Sequence, residues 1–194
     1  GDEALAGRLA GRLSGLRRLV HTVHVAEARW RPWRFALPRS VPFEHERIVC
    51  VSDAVRRQHL RRTGLSPRRY RVIRNGVDVD AYHRDDAKRR ALRRRWGVGD
   101  QTPLLAFVGR LDRQKGLDVL LAAMAHLGAR GAPAELVIAG DGPQREMVEN
   151  FVARAHGGGH CRALGWWDDV PGLLSAADVL LMPMCLGAPR RSLR

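Results

Sequence analysis

Gly109-Arg110, followed five residues later by Lys115, is the arrangement in this sequence best suited to holding an anion. A glycine lets a ligand approach the backbone closely. Arginine offers phosphate oxygens a planar fork, and lysine offers a point charge. The apolar run 104–108 precedes them and an amphipathic run begins at Gly116. The turn therefore joins a buried strand to a helix, whose N-terminus itself attracts anions. In open α/β sheets, ligands bind at the carboxyl ends of strands, where this turn would lie. Such a set could bind a pyrophosphate and steady it as a leaving group. Spacing alone leaves a second reading open, a solvated loop with two ordinary cations.

Two further strand–helix turns carry glycine. Gly140-Asp141-Gly142-Pro143 resembles in part the dinucleotide fingerprint G-x-G-x-x-G, but Arg145 occupies the third glycine position. It reads better as a tight turn near a ligand crevice than as a nicotinamide or flavin site. Gly165-Trp166-Trp167 presents backbone and aromatic surface that could seat a base, or two packing residues. Near the front, His21 and His24 flank a β-branched run; with period-two alternation they face opposite ways, and His24, nearer the carboxyl end, is the better site candidate, with a lone structural histidine as the other reading. Lys88-Arg89-Arg90 and Arg93-Arg94-Arg95 make a basic helix, which reads as a solvated helix with one packed stripe, Leu92 and Trp96, or as a nucleic-acid or membrane patch. No metalloprotease helix motif, Walker loop, serine elbow or calcium loop is present.

The bulk properties narrow the classes. Of 194 residues, 45% are hydrophobic, enough for a real core. No apolar run approaches the roughly 20 residues of a membrane-spanning helix. The first residues do not resemble a signal peptide, and the first residue is not Met, which fits a cut or processed start. Cys50, Cys161 and Cys185 are far apart and unpaired by motif, which fits small core hydrophobes in a reducing, cytoplasmic setting. The net charge of +14 invites anionic partners, yet the only lysines are Lys88 and Lys115. So arginine-rich a charge fits codon bias better than nucleic-acid binding, which is not expected.

The elements that must position these residues follow from periodicity. The spacing predicts an amphipathic helix over 5–19, a strand over 19–25, a loop over 29–42, a strand over 47–51, and a helix from the Ser52-Asp53 cap to about residue 62, closed by Thr63-Gly64. A strand over 70–73 ends in the turn Arg74-Asn75-Gly76, and the basic helix spans 85–96. The polar stretch at 99–102 suggests a domain boundary. Beyond it strands over 104–108, 135–139, 161–164 and 178–182 alternate with helices over 116–127, 144–155 and 170–176. That alternation means right-handed βαβ units and a parallel sheet.

Six segments in order carry a resemblance. They are Arg47-Ile48-Val49-Cys50-Val51-Ser52-Asp53-Ala54-Val55, Val72-Ile73-Arg74-Asn75-Gly76-Val77-Asp78, Phe107-Val108-Gly109-Arg110-Leu111-Asp112-Arg113-Gln114-Lys115-Gly116, Val137-Ile138-Ala139-Gly140-Asp141-Gly142-Pro143, Leu164-Gly165, and Ser175-Ala176-Ala177-Asp178-Val179-Leu180-Leu181-Met182-Pro183. Together they resemble family 4 glycosyltransferases, retaining enzymes of the GT-B fold. The resemblance implies an α/β protein with two Rossmann-like parallel-sheet halves, both incomplete. Residues 1–100 would be the C-terminal part of an acceptor-binding domain plus linker, and 101–194 a nucleotide-sugar-binding domain lacking its end.

The resemblance also implies roles. Gly109, Arg110, Lys115 and Gly140 would hold the diphosphate of a nucleotide sugar, and Gly165 with Trp166 would lie by its base. His24 would approach the transferred sugar. Residues 75–78 would belong to the hinge. No metal and no separate cofactor are expected, because cations of the protein serve the leaving group. The donor would be a nucleotide diphosphate sugar and the acceptor a saccharide, lipid or small molecule, with peripheral contact to an anionic membrane compatible with the charge. Where the family places an acidic turn and a second Glu, residues 182–191 hold no carboxylate; Gly187-Ala188-Pro189 stands in place of that turn. This implies a truncated or frame-disrupted copy, poorly active or inactive. The alternative, resting on charge alone, is a basic nucleic-acid or anionic-surface binding module.

Overall fold

The chain forms two parallel sheets, and apolar runs at 104–108 and 135–139 make the middle of the second, as burial on both faces requires. The computed structural model of the chain describes residues 2–25, 43–154 and 161–184, with no account of the side chains of 2–5. The chain divides into two units, Gly1–Val77 and Asp78–Arg194. The predicted loop 29–42, Cys185 and the turn Gly187-Ala188-Pro189 lie outside the described residues.

The first unit runs α1 (Asp2–Leu13), β1 (Arg18–Val23), β2 (His45–Cys50), α2 (Asp53–Thr63) and β3 (Tyr70–Val72), with the strands parallel in the order β1-β2-β3. The predicted first helix is shorter than its periodicity suggests. Gly15 turns left-handed at φ +73° and frees the chain to enter β1. Ser52 caps α2 by accepting the Val55 N–H at 3.2 Å, and Gly64 closes it at φ +59°. Val23, Ile48, Cys50 and Tyr70 form the core, with Val55, Leu60 and Leu65 from α2 and its exit packed against them.

A buried polar network lies beside that core. Glu46, 1% exposed, takes an ion pair from Arg8 of α1 and a 2.8 Å hydrogen bond from Arg69. His21 Nδ1 stands 3.8 Å from the same carboxylate. The Tyr70 hydroxyl meets His59 Nδ1 at 3.0 Å and Thr63 Oγ1 at 2.7 Å. Burying an unpaired charge would be costly, so Glu46 fixes where Arg8 and Arg69, and hence α1, must sit.

The second unit contains α3 (Asp86–Trp96), β4 (Leu104–Val108), α4 (Leu117–Ala129), β5 (Glu135–Ala139), α5 (Arg145–Arg154), β6 (Cys161–Gly165), α6 (Val170–Ala176) and β7 (Val179–Leu180). Its strand order is β6-β5-β4-β7, all parallel. Alternation sends Phe107, Leu136 and Ile138 to the face covered by Leu117, Leu120, Leu121, Met124 and Val148. Leu104, Ala106, Val137 and Ala139 point to the opposite face, against Trp96, Leu173 and Ala176. The chain crosses back over β4 to add β7, so strand order reverses there, the place where such sheets open a crevice at their carboxyl ends. β7 is shorter than the predicted 178–182 because only Val179 and Leu180 find partners in β4.

α3 clusters with the second unit although the polar stretch that suggested a boundary follows it. Besides Leu92 and Trp96 it turns a second stripe inward, half-buried Arg89 and buried Arg93. Arg89 donates to the carbonyls of Ser175, Ala176 and Ala177 and, at 2.6 Å, to Asp178 Oδ1. Arg93, 2% exposed, donates to Ala176 O, Gly99 O, Thr102 O and Asp178 Oδ2. Cations are favoured at a helix C-terminus, where carbonyls lack partners. Asp178 in turn accepts the Leu104 N–H at 2.8 Å. Burial alone would raise its pKa, but the Leu104 N–H and the two guanidinium groups outweigh it and hold the carboxyl below its ordinary value.

Two outcomes follow. Arg93→Met, which strands several carbonyls, lowers stability by about 3 kcal/mol in urea titration. In the first unit, burial first, then the positive charges of His21 and Arg8 against the pull of Glu46, lower the His59 pKa from 6.5 to about 4. The folded chain therefore binds fewer protons than the unfolded chain between those values. His59's contribution, about 3 kcal/mol, is complete above the unfolded pKa and is lost as pH falls through the folded one. Thermal melts of the wild type and of His59→Gln from pH 7.5 to 4 check this: the variant loses less stability over that interval.

Candidate functional site

The turns after β4, β5 and β6 meet backbone to backbone. The Gly109 N–H donates to Ala139 O at 3.0 Å, and the Gly140 N–H to Gly165 O at 2.7 Å. Two residues further out, the Leu111 N–H donates to Asp141 O at 2.8 Å and the Gln144 N–H to Leu111 O at 2.9 Å. Gly140 and Gly142 both have positive φ, +140° and +152°. A Cβ on Gly140 would overlap the Gly109 carbonyl oxygen, and one on Gly142 would come 2.6 Å from Leu111 O. The two glycines of the second turn are thus required by the first turn, whatever else approaches them. Arg145, at the third fingerprint position, is turned to Glu149 at 2.7 Å and Asp141 at 3.5 Å.

On this platform stand the two cations. Arg110 is 70% exposed, with Nε 3.6 Å from Asp112 Oδ2. Lys115 is half-buried and ends a 3-10 turn, Arg113–Lys115, after which Gly116 at φ +68° opens α4. No side chain caps α4. An uncapped helix start directs its N–H groups and positive partial charge outward, beside Lys115. The arrangement can bind a compact polyanion through one fork, one point charge and a helix end.

The aromatic pair after β6 divides. Trp167 packs on Trp96, ring centroids 5.9 Å apart, under the Arg95 guanidinium at 5.7 Å. Trp166 remains 77% exposed next to Gly165, its indole Nε1 donating to Asp168 Oδ1 at 2.7 Å. Packing claims one tryptophan and leaves the other beside the glycine turns. In the first unit, His24 lies exposed just past the carboxyl end of β1, while His21 faces inward to Glu46. Burial lowers the His21 pKa, with Glu46 opposing and Arg8 adding to the fall. Gly109, Arg110, Lys115, Gly140, Gly165 and Trp166 therefore share the carboxyl edge of one sheet, and His24 belongs to the other unit. Sequence reasoning passed over Asp112, whose position three residues before Lys115 marks a turn cap.

A cavity of about 430 Å³ lined by Tyr82, His83, Arg84, Arg89, Ser175 and Asp178 opens at the amino ends of β4 and β7, away from these turns. Among the described residues no cluster of His, Cys, Asp or Glu is arranged to hold a metal ion, and no helix is long and apolar enough to cross a membrane. Cys50 and Cys161 are free and buried, and burial raises the Cys161 thiol to about 12.

Residues 88–186, just over half of the chain, match the family model for glycosyl transferases group 1, and residues 3–81 match that for glycosyltransferase family 4. The chain belongs to the group 1 glycosyl transferases, with the family 4 glycosyltransferase pattern in its front half. It is 30% identical over 174 residues to 2-deoxystreptamine glucosyltransferase of Streptomyces kanamyceticus, an alignment covering 88% of this chain and 42% of that one. It is 30% identical over 185 residues to GDP-mannose-dependent alpha-(1-6)-phosphatidylinositol monomannoside mannosyltransferase of Mycolicibacterium smegmatis, covering 93% and 47%. In structure it resembles Anabaena HepE, solved in complex with UDP-glucose, with a TM-score of 0.73, 21% identity, and coverage of 93% of this chain and 50% of that one. The chain spans about half the length of the curated relatives it matches. The α/β class and the two parallel-sheet, GT-B-like halves expected from the sequence are both present.

The platform has a direct check. Gly140→Ala forces the turns after β4 and β5 apart, so destabilisation exceeds the ~1 kcal/mol of an ordinary Gly→Ala change in strained backbone. Gly128→Ala, in α4 where a Cβ meets nothing within 4 Å, serves as the control and is neutral or stabilising in the same melt.

Proposed function

We propose that the chain serves a glycosyltransferase that moves a hexose from a nucleotide diphosphate sugar to an acceptor hydroxyl with retention. The observation that carries the proposal is the placement of Arg110 and Lys115 on interlocked glycine turns, beside an uncapped helix start. In this reading both cations take the diphosphate and stabilise its charge as the C1–O bond to the leaving group breaks, without a metal or separate cofactor. Gly109 and Gly140 form the floor beneath it. Gly165 and Trp166 lie by the base, and His24 approaches the transferred sugar. The acceptor is a saccharide, a lipid or a small molecule; the named relatives include both a 2-deoxystreptamine and a phosphatidylinositol monomannoside enzyme. Work in the cytoplasm, with peripheral contact to an anionic membrane, suits the net charge of +14.

The nucleic-acid alternative is not favoured, because part of the basic helix is already engaged. In the basic helix Lys88 pairs with Asp169 at 2.9 Å, and Arg89 and Arg93 are engaged with residues 175–178. Residues 182–191 contain no carboxylate to hold the sugar, so the chain as it stands is proposed to bind donor while turning it over poorly.

Calorimetric titration of the purified chain with UDP, GDP and ADP in the presence of EDTA tests the reading. At least one nucleoside diphosphate binds, and Lys115→Ala and Arg110→Ala each weaken it by about tenfold or more, ~1.4 kcal/mol. A folded chain that binds none of the three sinks the proposal. Brisk sugar transfer by the same chain would overturn only the expectation of poor turnover.

A further inference from the structure

Between the two cations lies an acid whose contacts reach both. The Asp112 side chain is 24% exposed, against 70% for Arg110 beside it. Its Oδ2 stands 3.6 Å from Arg110 Nε. Its Oδ1 accepts the Gln114 N–H at 2.9 Å, its carbonyl accepts the Lys115 N–H at 3.1 Å, and its own N–H donates to Arg110 O at 2.9 Å. One residue is thereby tied to the backbone or side chain of both cations.

A carboxylate here is electrostatically adverse. A negative charge within a few ångströms of a bound diphosphate repels it, and partial exposure screens that repulsion only in part. Its benefit has to come from order. An exposed arginine has rotamer entropy to lose when it settles on a ligand. Asp112 Oδ2, 3.6 Å from Nε, restrains the guanidinium by charge from its Nε side, which leaves the two Nη groups as the fork for phosphate oxygens. Its cap on the Arg113–Lys115 turn fixes the backbone from which Lys115 projects at the start of α4.

We propose that Asp112 is the positioning residue of this site, aligning the Arg110 fork through its Oδ2 and holding the Lys115 turn through its Oδ1. The proposal rests on the reading that these two cations grip a diphosphate. It assigns Asp112 no contact with the ligand.

The sign of the effect on binding separates this role from that of a bystander. Removing a bystander acid next to an anion site tightens binding, most at low salt; removing a positioning acid weakens it. Titrations of whichever of UDP, GDP and ADP binds the wild type best are run on Asp112→Ala, Asp112→Asn, Arg110→Ala and the double variant of Arg110→Ala with Asp112→Ala. Asp112→Ala weakens binding about fivefold to twentyfold. Asp112→Asn, whose amide oxygen still accepts the Gln114 N–H, recovers part of that loss. The double variant binds only slightly more weakly than Arg110→Ala alone, because the Oδ2 contribution acts through Arg110. Circular dichroism melts confirm that each variant is folded. A general loss of stability would not produce coupling to Arg110 or rescue by asparagine.

Tighter or unchanged binding in Asp112→Ala overturns the proposal, as does full additivity with Arg110→Ala. A wild type that binds through Lys115 while Asp112→Ala is indifferent removes this inference and leaves the donor-binding reading standing. A folded wild type that binds no nucleoside diphosphate removes both.

Discussion

Backbone packed directly on backbone is the constraint on which the second unit depends. Where the turns after β4, β5 and β6 meet, Gly109 bonds to Ala139 and Gly140 to Gly165, with no side chain between them. The glycines at 140 and 142 make this approach possible, since a Cβ at either would collide with the neighbouring turn. Everything presented at the carboxyl edge of the sheet, Arg110, Lys115 and Trp166, is carried by that platform. Rigid placement matters there because a loose cation loses on ordering what it gains on binding.

Each unit also buries charge to fix a helix. In the first, Glu46 draws Arg8 and Arg69 inward and so seats α1 on its sheet. In the second, Asp178 gathers Arg89 and Arg93 while accepting the Leu104 N–H, joining α3, the end of α6 and the amino ends of β4 and β7 in one knot. Such pairs add little net stability over an apolar core of equal volume, but they are severe on any alternative arrangement, which would leave a charge without its partner. An arginine-rich composition is thereby partly structural, and the surface is less available to polyanions than net charge alone suggests.

Much of the architecture was legible along the chain. β4, β5 and α6 fall at their predicted bounds because their signals are local: unbroken apolar runs buried on both faces, and Asp169 with Pro171 at a helix start. The caps Ser52 and Gly64 were likewise readable, since a cap is a property of a few consecutive residues. Where the reading overshot, at the end of α1 and along β7, the limit came from elsewhere, from a glycine turn that feeds a strand and from a partner strand offering two paired positions.

The residue types of the proposed grip, two cations and their glycines between a strand and a helix, were determined by the sequence alone, because adjacency in the chain guarantees adjacency in the turn. Only the tertiary structure decided why Gly140 and Gly142 must be glycine, which of Trp166 and Trp167 packs, and that Arg93 is buried with Arg89 half-buried beside it. Each depends on a surface supplied by a segment distant in sequence: the neighbouring turn, Trp96, and residues 175–178. Asp112 lies between these cases. Its spacing was visible, but its reach to both cations became apparent only once the turn had a shape. A pattern names the groups that could act, and packing selects among them, because burial and contact are properties of pairs that the order of residues does not bring together.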